Sequence, residues 1–86
     1  MENKEIEEFE EKIYDLSNIG IEDFYLVIEE NQKYIYSKNK IFWINEKNNF
    51  VFDSGMYYIF NMSKKDKLVI SEKQYLEISD LLNGIN

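Results

Sequence analysis

The chain's reactive side chains are few in kind. His, Cys and Arg are absent, which removes the imidazole base, the thiolate nucleophile and the bidentate guanidinium clamp. What remains are 17 carboxylates and 10 lysines. Asp53, Ser54 and Gly55 have the composition of a nucleophile turn. A serine hydroxyl, however, needs a neighbouring base to lose its proton, and the triplet reads instead as a β-turn. Glu29, Glu30 and Asn31 offer the oxygen ligands that hard cations take, but without the spacing of a calcium loop, so no metal site is assigned. The three glycines stand apart from one another, so no glycine-rich loop is present to cradle a phosphate. The chain is read as a non-enzyme with no cofactor.

The carboxylates are unevenly distributed. Residues 1–30 hold eleven acids and two lysines, residues 31–86 six acids and eight lysines, and the net charge is −7. Such a chain is repelled by phosphate, so direct nucleic-acid binding is not expected.

The spacing predicts a helix over residues 3–18. Ile6, Phe9, Ile13 and Leu16 recur at intervals of three and four, the signature of one helical face. Gly20 is placed to stop it. The opposite face then carries Glu7, Glu8, Glu11 and Asp15. Glu7–Glu11 and Glu11–Asp15 are like-charge pairs one turn apart, each costing about 0.2–0.5 kcal/mol. Carboxylates in such a row can stand where phosphates lie in a basic groove, which makes these four residues the first candidate binding surface.

From Glu22 onward the period becomes two. Short runs rich in aromatic and β-branched residues alternate with turn formers. Connections this short permit only antiparallel neighbours, and a meander sheet of five or six strands is expected. Turns at Asn31 and Gln32 and at Lys38 and Asn39 place Ile28 opposite Ile35, Ile35 opposite Phe42, and Tyr34 opposite Trp43. Phe24, Leu26, Ile28, Ile35, Phe42 and Ile44 then share one face. Tyr25, Val27, Tyr34, Tyr36, Ile41 and Trp43 share the other. Downstream, Phe50, Phe52, Tyr57, Ile59, Leu68 and Ile70 group together, with Val51, Tyr58, Phe60, Met62 and Val69 opposite. An odd count in the connection at 46–49 is assumed, which unites the two halves in one sheet. Phe9, Phe24, Phe42 and Phe52 are assigned to the core.

The last element is a second helix. Ser71 and Gln74 form a capping box, Tyr75, Ile78 and Leu82 give an apolar stripe, and Gly84 is placed as the residue after the cap. The expected fold is therefore a single α+β domain over residues 1–86: an N-terminal helix, an antiparallel meander and a C-terminal helix.

Two helices can cover only one side of that sheet. The second candidate surface is accordingly the uncovered aromatic face: Tyr34, Tyr36, Trp43, Tyr58 and Phe60. Tyr and Trp supply binding hot spots because they bury large rigid areas while keeping a polar handle.

The chain also lacks Ala, Thr and Pro and is rich in Ile, Asn and Lys, which fits A/T-rich coding. The acidic start has neither the cationic nor the apolar segment of a secretory leader, and no apolar run approaches the roughly 20 residues of a membrane span. A cytoplasmic protein is expected, host-cytoplasmic if phage-encoded. The composition is similar to that of small phage and mobile-element proteins that block host defences, anti-CRISPR proteins included. By that analogy, the expected function is a non-enzymatic inhibitor that binds a nucleic-acid-binding defence protein through the acidic helix and the aromatic face. The alternatives are an immunity protein or antitoxin neutralising a toxic nuclease, and a homodimeric accessory protein.

Overall fold

A computed structural model of the chain describes residues 10–44, 50–61 and 66–84. Among them are seven strands in two antiparallel sheets and one α-helix. The first sheet runs β1 (Lys12–Asp15), β2 (Tyr25–Ile28), β3 (Lys33–Ser37) and β4 (Lys40–Ile44), in sequence order. The second runs β5 (Val51–Asp53), β6 (Met56–Phe60) and β7 (Lys67–Ile70). Helix α1 (Glu72–Leu82) follows directly.

Among the described residues 10–18 the expected N-terminal helix is not formed. Residues 12–15 are strand, and Leu16–Ile19 form one turn of 3-10 helix. Ile13 and Leu16 fit a helical period, but Lys12 to Leu16 also alternates, with Tyr14 and Leu16 inward and Ile13 outward. The alternation prevails because β2 offers a free edge. Ile13 pairs with Val27 and Tyr14 with Leu26, so tertiary pairing overrides local spacing. Asp15 then breaks the strand. Its carboxylate accepts from the Ser17 amide at 3.0 Å and caps the 3-10 turn. Gly20, at φ +89°, ends that turn. Of the four acidic residues expected on one helix face, Glu7 and Glu8 lie outside the described residues. Glu11 and Asp15 belong to a strand edge and a cap.

The single meander sheet is also corrected, because pairing stops at β4 and resumes with β5. The β3–β4 hairpin has the expected register, Ile35 opposite Phe42 and Tyr34 opposite Trp43, with Lys38 at φ +53° in its turn. In the β2–β3 hairpin the turn centres one residue earlier than expected, on Glu30 and Asn31. Leu26 therefore faces Ile35, and Val27 faces Tyr34. A one-residue shift of a turn moves every cross-strand partner by two, so each side chain keeps its face. The turn between β5 and β6 holds Ser54 at φ +55° and Gly55 at φ +84°, the two positive values of a type I′ turn.

One core joins both sheets to the helix. Leu16, Leu26, Ile35, Phe42, Ile59, Ile70 and Ile78 are at most 1% exposed and belong to a single cluster. Phe24 packs against it partly buried, whereas Phe52, expected inside, is 57% exposed and leans on Tyr57. The capping box forms as expected: Ser71 Oγ accepts from the Gln74 amide at 3.2 Å, and Gln74 Oε1 accepts from the Ser71 amide at 2.9 Å. Gly84 donates to the Leu81 carbonyl beyond the helix end. The Lys40 ammonium lies 3.6 Å from the Asp66 carboxylate, linking the first sheet to the approach of β7. Among the described residues no helix is long and apolar enough to cross a membrane.

Candidate docking face

The core takes the even-numbered side chains of β2 and β4 and the odd-numbered ones of β3. The outer face of the first sheet is built from the rest, and the register arranges it in rows across the strands. One row reads Ile13, Val27, Tyr34, Trp43, and the next Asp15, Tyr25, Tyr36, Ile41. Beyond the first row, Glu11 lies beside Glu29.

The rings form a continuous run. Tyr25 and Tyr36 stack with centroids 5.4 Å apart and planes at 26°. Tyr36 meets Tyr34 at 6.1 Å, and Tyr34 meets Trp43 at 5.0 Å. Together they cover Val27, which is 1% exposed although it points away from the core, while Tyr25 and Trp43 remain 37% and 38% exposed. A shallow groove of about 270 Å³ runs along this surface past Ile13, Val27, Tyr34, Tyr36 and Ile41, with Glu11 among its lining residues and Lys38 and Asn39 of the hairpin turn as well.

The acidic end of the face is tied to the rings. Glu29 accepts from the Gln32 side-chain amide at 2.5 Å and from the Tyr34 hydroxyl at 3.5 Å. A hydrogen bond between the Glu11 and Glu29 side chains raises the Glu11 pKa above the usual glutamate range, and desolvation and repulsion by Glu29 add to the effect. Burial raises the Tyr34 pKa above that of an ordinary tyrosine, with the negative charges of Glu29 and Glu11 adding to it. Tyr34 thus stays protonated at neutral pH and remains a hydrogen-bond donor.

The structure brings Tyr34, Tyr36 and Trp43 together as expected. Tyr58 and Phe60 belong to the other sheet, so the five aromatics do not share one sheet face. There the Lys67 ammonium sits over the Tyr58 ring at 5.2 Å, and Phe60, Val51 and Val69 are exposed. Glu11 joins the aromatic surface rather than a helix face. Asp15 is occupied in capping, and its backbone carbonyl accepts from the Asn18 side chain. Tyr25 and Glu29 complete the surface. The period-two register signals Tyr25, whereas Glu29 gains its neighbour only once residues 12–15 are known to be strand.

The other constellations have local explanations. Ser54 donates its hydroxyl to Asp53 Oδ1 at 3.2 Å within the hairpin turn. Glu29, Glu30 and Asn31 form the β2–β3 turn, closed by the Glu29 amide on the Gln32 carbonyl. Among the described residues no group of three or more His, Cys, Asp or Glu is arranged to hold a metal ion. No protein-family model matches the chain, and no curated protein or solved structure matches it.

Proposed function

We propose that this chain is a small non-enzymatic binding module that docks a partner protein on the outer face of the β1–β4 sheet. The observation that carries this reading is the unbroken run Tyr25, Tyr36, Tyr34, Trp43, half open to solvent and laid over a dry Val27. Clustered apolar surface on a soluble chain marks interaction sites, and Tyr and Trp carry a disproportionate share of interface energy. A module of this kind acts by occupying a surface of its partner, which supports an inhibitory role. Among the described residues Glu11 and Asp15 do not lie on a helix, so the sheet face alone carries the reading. A homodimer through the same face is the second reading, because an exposed aromatic patch can be buried against its own copy about a two-fold axis.

Affinity capture from the native cell tests the proposal, with the wild-type chain and the Trp43→Ala variant as baits. A stoichiometric protein partner recovered by the wild type, and lost by a variant that still folds, is the expected result. A partner retained in full by Trp43→Ala would move the binding surface elsewhere. Recovery of this chain alone would favour the homodimer.

A further inference from the structure

Strand alternation has sorted the charges of the first sheet. All three lysines within its strands, Lys12, Lys33 and Lys40, stand on the core side of the register, at its margins. Among the described residues the outer face has Glu11, Asp15 and Glu29, and Lys38 in the hairpin turn is the cation that lines the groove. Asp15 is engaged in its cap. Glu11 and Glu29 remain beside the Tyr34 ring, at the end of the groove away from Lys38.

We infer that the partner of this face presents an arginine- or lysine-bearing segment, whose cation seats over the Tyr34 and Trp43 rings against the Glu11 and Glu29 carboxylates. The inference rests on the docking reading above and names the chemistry of its partner. A cation over an electron-rich ring is attracted by the ring's quadrupole, most strongly for Trp and Tyr. Two adjacent carboxylates add charge and acceptors for its N–H groups. Glu29 takes neutral donors from Gln32 and Tyr34, and the hydrogen bond between Glu11 and Glu29, which holds Glu11 above the usual glutamate range, is what a seated cation would replace. A second copy of the chain suits the site less well. It brings the same excess of carboxylates on the same face and the same net charge of −7.

The test uses a short acetylated and amidated peptide carrying two arginines, and its citrulline counterpart, which keeps the shape and loses the charge. Binding is followed by NMR through the Trp43 indole and Tyr34 ring signals. The arginine peptide is expected to shift both, to bind at least about tenfold more tightly than the citrulline peptide, and to lose about the same factor in the Glu11→Gln, Glu29→Gln double variant. Both differences should shrink as salt rises. Equal binding of the two peptides at Trp43 would overturn the cationic partner while leaving the docking face standing. Arginine-peptide binding unchanged by the double variant would overturn it as well, as would shifts confined to a separate acidic cleft, which Asp15 lines together with Glu77 and Asp80 of α1. So would no shift at Trp43 with either peptide, or a stable dimer that buries Trp43. The capture experiment decides the docking reading separately in each of those cases.

Discussion

Phe42 and Trp43 are neighbours in the chain and opposites in environment: Phe42 is 1% exposed within the core, and Trp43 is 38% exposed on the outer face beside Tyr34. The pleat of β4 sends one ring into the fold and the other out of it. Their truncations should therefore separate stability from binding. Phe42→Ala is expected to cost about 3–5 kcal/mol of stability, as a large core deletion does. Trp43→Ala forfeits its ring pairing with Tyr34, about 0.5–1.5 kcal/mol, and should cost at least about 2 kcal/mol of partner affinity. Thermal melting beside a binding titration measures both. Equal losses of stability would place Trp43 in the core.

The Glu11–Glu29 pair gives the fold a pH dependence of known sign. The folded state raises the Glu11 pKa, so it binds that proton more tightly than the unfolded chain does. The associated stability is present in full below the usual glutamate range and is lost as pH rises through the raised value. Glu11→Gln, neutral throughout, should remove this slope. Relative to the wild type, the variant is expected to gain stability on going from acidic to neutral pH. Parallel melting curves for the two chains would show that the pair is uncoupled in solution.

Tyr34 should titrate above the ordinary tyrosine range, with burial as the leading cause and Glu29 and Glu11 as further ones. The ultraviolet difference between the wild type and Tyr34→Phe isolates its ionisation. Glu29→Gln should lower the value only part of the way, because the burial remains. A return to the ordinary value would make charge, not burial, the dominant cause. A Tyr34 that ionises with the exposed tyrosines would detach it from both carboxylates.

Much of the aromatic face was legible because β-sheet register is digital. The β2–β3 turn sits one residue from its expected place, yet Tyr25, Val27, Tyr34 and Tyr36 keep their side, since partners move by two. The β3–β4 hairpin and the Ser71–Gln74 box were legible for a related reason, namely that short-range turn and cap chemistry decides them. Residues 12–16 were not. Ile13 and Leu16 satisfy both a helical and an extended reading, and only the free edge of β2, remote in sequence, selects the strand. The pairing of Glu11 with Glu29 inherits that ambiguity. The division into two sheets falls between β4 and β5, where the odd count was an assumption and not a reading, and Tyr58 and Phe60 were joined to the wrong face as a result.

Gln74 makes three hydrogen bonds, two of them through its side chain, and the last of them reaches 55 residues back along the chain. Its Oε1 accepts from the Ser71 amide at 2.9 Å, its backbone amide donates to Ser71 Oγ at 3.2 Å, and its Nε2 donates to the Ile19 carbonyl at 3.0 Å. Gln74→Glu keeps the acceptor for Ser71 and adds an anion at a helix N-terminus, which alone is worth about 0.3–1 kcal/mol. It also sets a carboxylate oxygen against the Ile19 carbonyl, leaving that acceptor without its donor at a cost of about 1–3 kcal/mol. The second effect is the larger, so the variant is expected to be destabilised near neutral pH and to recover as the carboxyl protonates. Gly20→Ala attacks the same junction from the other side. The backbone there is left-handed at φ +89°, and a β-carbon would lie 3.1 Å from Gln74 Nε2. The left-handed conformation alone costs a non-glycine residue roughly 1–2 kcal/mol, to which displacement of the Gln74 amide adds. If the two variants act on one contact, their combination should destabilise less than the sum of the single changes. Strict additivity in a double-mutant cycle would mean that Gly20 and Gln74 support the fold independently, and that the helix is held to the 3-10 turn by Ile78 and the core alone.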